Sequence, residues 1–133
     1  MFEWNQHYSV GIKSIDAQHQ SLFAIASELY TAMSAGQGKA AVSRILDRLV
    51  KYTQMHFAHE ERLMRQFAFP KVEEHVAEHA ELTRKVLEFQ EDFRSGRVNI
   101  TVQLLTFLKN WLGEHIRGSD MLYAPYFKGQ AVA

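Results

Sequence analysis

Apolar residues recur at intervals of three and four along four long runs of the chain, which is the spacing of amphipathic α-helices and not the alternation of strands. The first run, about 16–35, puts His19, Leu22, Phe23, Ala26, Leu29, Tyr30 and Met33 on one stripe. The second, 39–67, carries Val42, Ile45, Leu46, Leu49, Tyr52, Thr53, His56, Glu60, Leu63 and Phe67. The third, 70–94, carries Val72, His75, Val76, His79, Leu82, Val86, Phe89 and Phe93, and the fourth, 99–117, carries Leu104, Leu108, Trp111, Leu112, His115 and Ile116. Breaks at Gly36 and Gly38, at Phe69-Pro70 and at Ser95-Gly96-Arg97 separate the runs. Pro70 suits the first turn of a helix, Asn99 or Thr101 suits an N-cap, and Gly118 predicts a stop. Short links between long helices favour antiparallel neighbours. The expectation is an all-α single domain over 1–133, an antiparallel up-down-up-down four-helix bundle behind an N-terminal arm that contains Trp4.

Five histidines and a glutamate fall on these inward stripes, where an unpaired charge or imidazole costs desolvation and packing. His56 and Glu60 are four apart, as are His75 and His79, so each pair stacks on one helix face as a two-toothed clip for a metal. His115 and Asp120 are five apart, which rotates the second side chain away in a regular helix. Either the helix ends near Gly118 and the chain curls Asp120 back, or a π-type bulge absorbs one residue; the glycine favours the first. With His19 at the start of the first run, all four helices bring a candidate ligand inward. His7, in the arm, and His59, one residue off the stripe, are expected to stand outside the site.

Composition narrows the chemistry. Fifteen basic residues balance fifteen acidic ones, which argues against a nucleic-acid-binding surface. The absence of Cys leaves only nitrogen and oxygen to hold a metal. The first residues, Met1-Phe2-Glu3-Trp4-Asn5-Gln6, show no basic n-region or apolar h-region, and no apolar run reaches the roughly 18 to 20 residues that cross a bilayer, so a cytoplasmic protein with no membrane partner is expected; a monomer is expected as well. The stretch His75-Val76-Ala77-Glu78-His79 matches the H-x-x-E-H zinc-protease signature. That reading would leave His19, His56, Glu60 and Asp120 unexplained.

Two octahedral metals account for all seven residues: His75, His79 and His115 on one, His19 and His56 on the other, and Glu60 and Asp120 bridging. With one further oxygen bridge, about one of roughly twelve positions stays open, on the two-His metal. Imidazole-rich octahedral sites suit iron better than Mg or Ca, and a single vacancy suits a small diatomic ligand. Leu22, Phe23, Phe57, Leu112 and Ile116 flank the histidines and are expected to line a dry pocket over that vacancy.

The motifs Ile15-Asp16-Ala17-Gln18-His19, His56-Phe57-Ala58-His59-Glu60-Glu61, His75-Val76-Ala77-Glu78-His79 and Trp111-Leu112-Gly113-Glu114-His115-Ile116, followed by Asp120, resemble the hemerythrin family, and more closely its bacterial branch. The resemblance covers nearly the whole chain. It implies two Fe ions in an oxo- or hydroxo-bridged non-heme di-iron centre that binds O2 reversibly, with azide or nitric oxide as other small ligands. It also implies an oxygen carrier or store in place of an enzyme. The alternatives are an O2- or redox-sensing domain of a signalling protein and a di-iron oxidase or nitric oxide reductase. The sequence stops at Ala133 without an output domain, which sets the expectation of a free-standing protein.

Overall fold

The computed structural model describes residues 4–36, 39–96 and 100–127. A 3-10 turn, Gln6–Tyr8, leads into α1 (Lys13–Ser34), α2 (Lys39–Gln66), α3 (Val72–Arg94) and α4 (Ile100–Glu114). A π-helical turn, His115–Asp120, then joins α4 to a short α5 (Met121–Phe127). Each main helix packs on the next and α4 returns to α1, closing a four-helix bundle. No strand occurs among the described residues, and no helix there is long and apolar enough to cross a membrane.

The links follow from local chemistry. Gly36 at φ 68° and Gly96 at φ 85° take the left-handed conformation just past the ends of α1 and α3, which lets the last carbonyls find donors, as in Ala35 N to Thr31 O at 2.9 Å. The α2–α3 link uses Ala68 at φ 57° for the same purpose and closes with Phe69 N donating to Met64 O at 2.9 Å. Phe69 then buries itself against Tyr126, with ring centres 5.2 Å apart. Gly38, Arg97 and Asn99 lie outside the described residues.

Three boundaries differ from the sequence expectation. Helix α1 starts at Lys13, upstream of 16, because the Asp16 carboxylate folds back to accept from Val10 N at 2.8 Å and Ser9 Oγ at 2.5 Å, tying the arm to the first turn. Pro70 sits in the reversing turn and α3 begins at Val72. The chain does not stop at Gly118: that residue has no positive φ, and the helix runs through the π turn into α5. Pro125 hides α5 from a helix reading of the sequence. On the α1 stripe Tyr30 is 39% exposed, and Ile25 is buried where it was not expected.

The buried apolar residues form two clusters. One holds Leu22, Phe23, Leu29, Leu46, Leu49, Phe57, Leu104, Leu108, Trp111, Leu112 and Ile116, with Trp4 and Tyr8 of the arm packed against it. The other holds Val10, Ile12, Ile15, Leu63, Met64, Phe69, Tyr123 and Phe127. Several buried polar residues fall where membership changes from one cluster to the other: His19 between Ile15 and Leu22, Glu60 between Phe57 and Leu63, and His75 and His79 between Phe69 and Val86, with His56 just before Phe57. His115 and Asp120 separate Leu112 from Tyr123. A polar layer is thereby sealed between two apolar ones.

Candidate metal centre

All seven residues singled out in the sequence, His19, His56, Glu60, His75, His79, His115 and Asp120, are buried in this layer. Their donor atoms form two groups that could hold a metal ion, each with all atoms within 4.8 Å of one another. One group is Glu60, His75, His79, His115 and Asp120; the other is His19, His56, Glu60 and Asp120. Both carboxylates belong to both groups. Asp120 places Oδ1 at 3.0 Å from His75 Nε2 and 3.1 Å from His115 Nε2, and Oδ2 at 3.1 Å from His19 Nε2. Glu60 Oε1 stands 2.9 Å from His56 Nε2 and 3.5 Å from His79 Nε2.

The π turn is what brings Asp120 here. By adding a residue to the turn it returns the fifth residue to the face of the first, so His115 and Asp120 converge. The curled-back stop expected at Gly118 is thus replaced by the bulge that sequence reasoning ranked second.

The donor set fits a metal cluster. Of the eleven buried side-chain nitrogen and oxygen atoms without a hydrogen-bond partner among the described residues, eight belong to this layer: both ring nitrogens of His19, Nε2 of His75, His79 and His115, Glu60 Oε1, and both Asp120 oxygens. A buried polar atom left unpaired is costly, so such a concentration of them calls for a cation between them. The set mixes imidazole and carboxylate with no thiolate, which suits iron.

Side chains around the layer orient it. His56 Nδ1 donates to Gln18 Oε1 at 2.7 Å, His79 Nδ1 to Glu61 Oε2 at 2.8 Å, and His115 Nδ1 to Glu78 Oε1 at 2.6 Å. With the Nδ1 proton directed outward, each Nε2 faces the interior, the arrangement that metal-binding histidines adopt. Glu78 also accepts from Ser119 Oγ at 2.7 and 2.8 Å, and the Tyr123 hydroxyl donates to Glu60 Oε2. Gln18, Glu61, Glu78, Ser119 and Tyr123 were missed in the sequence. The signal for the acids was available: Glu61 follows Glu60 and Glu78 precedes His79, each beside the inward stripe.

Proton affinities reflect the crowding. Burial alone would lower His19 and His115, but Asp120, Glu60 and, for His115, Glu78 raise them to about 9 and about 10. His79 goes the other way, to about 3, because burial and the neighbouring imidazoles outweigh the carboxylates. Glu60 and Asp120 are both held below the usual carboxylate range: burial and, for Glu60, the charge of Asp120 work against this, and the surrounding histidines prevail. The hydrogen bond from His115 takes Glu78 down to about 2.

Of the expected pocket residues, Leu22, Phe23, Phe57, Leu112 and Ile116 all lie in the apolar cluster on one side of the layer. Phe23 and Leu112 also line an open cleft of about 550 Å³ shared with Tyr8, Lys109 and Arg117. Phe57 stacks on His79, centres 3.8 Å apart and planes 2° from parallel, so it packs against the three-His group as well as near His56. His59 belongs to neither group; it is half-buried, between Ser14 Oγ at 3.2 Å and Arg62 Nη2 at 2.9 Å. His7 is exposed in the 3-10 turn. Glu78, the would-be base of the protease motif, is engaged with His115 and Ser119.

Comparison with known proteins agrees with this geometry. The chain is 36% identical to a bacteriohemerythrin of Stenotrophomonas maltophilia over 94% of its own length and 80% of the relative's, and 30% identical to a myohemerythrin of Riftia pachyptila over 92% and 90%. The crystal structure of a wild-type hemerythrin superposes with a TM-score of 0.83 at 28% identity, covering 92% of this chain and 95% of that one. Residues 10–127 match the hemerythrin HHE cation binding domain, and the chain belongs to the hemerythrin family.

Proposed function

We propose that the protein binds O2 reversibly at a non-heme centre of two irons and acts as an oxygen carrier or store and not as a catalyst. The observation that carries the reading is the division of seven buried donors into two groups that share both carboxylates. His75, His79 and His115 would hold one iron and His19 and His56 the other, with Glu60 and Asp120 within reach of both. With three imidazoles on one side and two on the other, an exchangeable position would fall on the two-His side. A pair of irons held there would supply the reversible electron donation that O2 binding needs.

The chain's own residues make that exchange reversible. Leu22, Phe23, Leu112 and Ile116, all in one buried apolar cluster, exclude water from the side of the layer where the vacancy would open. Phe57 closes the neighbouring flank by stacking on His79. The Tyr123 hydroxyl is spent on Glu60 Oε2, which fixes the carboxylate and keeps that proton out of ligand chemistry. Azide and nitric oxide, being small, should enter the same position.

The test is repeated oxygenation and deoxygenation of the reduced, iron-loaded protein followed optically. A binding protein cycles with nearly constant amplitude. A protein left ferric after one exposure would contradict the reading and point to an oxidase.

A further inference from the structure

Four of the five imidazoles, His79, His115, His56 and His19, differ in how they are supported from outside. In the three-His group, His79 Nδ1 donates to the Glu61 carboxylate at 2.8 Å and His115 Nδ1 to the Glu78 carboxylate at 2.6 Å. Ser119 Oγ holds both oxygens of Glu78, at 2.7 and 2.8 Å, so the second contact is braced. In the two-His group, His56 Nδ1 meets only the neutral amide oxygen of Gln18, at 2.7 Å, and His19 Nδ1 is buried without a partner. A carboxylate that accepts the Nδ1 proton pushes electron density toward Nε2 and makes the imidazole a stronger donor. An amide, with no net charge, does so more weakly.

Building on the di-iron reading above, we propose that Glu61 and Glu78 are positioning residues that set the order of oxidation, so that the iron held by His75, His79 and His115 loses its electron first. The step is one electron: an outer-sphere oxidant of the ferricyanide class accepts it, becoming ferrocyanide, while one iron(II) becomes iron(III). No covalent bond is made or broken in this outer-sphere transfer. The hole stays where donation is strongest, and the two-His iron remains ferrous beside the open position.

The variants Glu61→Gln and Glu78→Gln keep an acceptor oxygen of the same shape and remove the charge. Both side chains reach the surface, 28% and 42% exposed, so either change is tolerable to folding. Gln18→Glu is the reverse test, placing the charge behind His56. Each protein is loaded with iron, counted by metal analysis, and titrated with ferricyanide, with Mössbauer spectra assigning the iron oxidised first. In each Gln variant the first oxidation should become less favourable, read as an upward shift of its potential, with about 59 mV for each tenfold in a one-electron couple. The double variant should shift further, and Gln18→Glu should narrow the gap between the two irons. Variants that hold two irons with unmoved potentials overturn the proposal, as do variants that lose iron without a shift, because the acids would then only shape the site. Wild-type protein that fails to take two irons overturns the di-iron reading itself, and the metal count identifies that case before any titration.

Discussion

His115 and Asp120, five residues apart, meet across a single π turn with Nε2 and Oδ1 separated by 3.1 Å. A regular α-helix would carry Asp120 about 140° around the axis from His115 and out of the layer. The extra residue is therefore what supplies the second shared carboxylate, and α5 beyond it returns Tyr123 to Glu60.

Gly118 tests that geometry. It has no positive φ, and a Cβ built on it meets nothing within 4 Å. Gly118→Ala should leave iron content unchanged and stability equal to wild type or up to about 1 kcal/mol higher, from the better helix propensity of alanine. Thermal melts of the two proteins decide it. A loss of more than about 1 kcal/mol would indicate the left-handed stop that the sequence alone suggested.

Much of the site was legible because periodicity and ligand spacing reinforce each other: His56 and Glu60, or His75 and His79, share a face in any regular helix. Asp120 was legible as a candidate but not in its path, since a glycine in the neighbouring position signals a stop more often than a bulge. The start of α1 was hidden because Asp16 spends its carboxylate on Val10 and Ser9, a contact set by the fold of the arm. Glu61 and Glu78 could be noticed beside the inward stripes, but not their partners: His79 and His115 are on other helices, and pairing between helices leaves no period in the sequence.

His56 and His59 should separate cleanly. His56→Ala removes an imidazole from the two-His group and should weaken iron retention and abolish O2 binding. His59→Ala loses only its contacts to Ser14 and Arg62, so iron content should hold and stability should fall by about 1 kcal/mol or less. Iron analysis of both variants after identical loading is the check; iron lost from the second and kept by the first would place the register of α2 in error.

Metal-free protein should be most stable near pH 6.5. His19 and His115 bind protons more tightly when folded, with values raised to about 9 and about 10, so their contribution is full below the unfolded value of 6.5 and is lost as pH rises through 9 to 10. His79, lowered to about 3, contributes in the opposite sense: its share is present above pH 6.5 and disappears as pH falls toward 3. Iron replaces the protons on His19 and His115, so loading near pH 7 should release protons, and the alkaline loss should be absent from the loaded protein. Denaturant titrations across pH, with a pH-stat during loading, measure both; a metal-free protein equally stable at pH 7 and pH 10 would contradict the account.

Leu112 is 2% exposed in the core and also lines the 550 Å³ cleft that Tyr8 and Phe23 border. Leu112→Ala should cost about 2 to 5 kcal/mol and, by admitting water, speed autoxidation of the oxygenated protein with both irons retained. Stopped-flow azide binding and the autoxidation rate read the second effect. A folded, fully loaded variant with an unchanged rate would make Leu112 a packing residue only.

Two irons within one chain would share Glu60 and Asp120. Anaerobic titration of the metal-free protein with ferrous iron, followed by proton release and by metal retained after desalting, tests it most directly. A break at two irons per chain is expected in wild type, with Asp120→Asn weakening retention of both. A break at one iron, or an Asp120→Asn protein that loses one iron and holds the other as tightly as wild type, would contradict it.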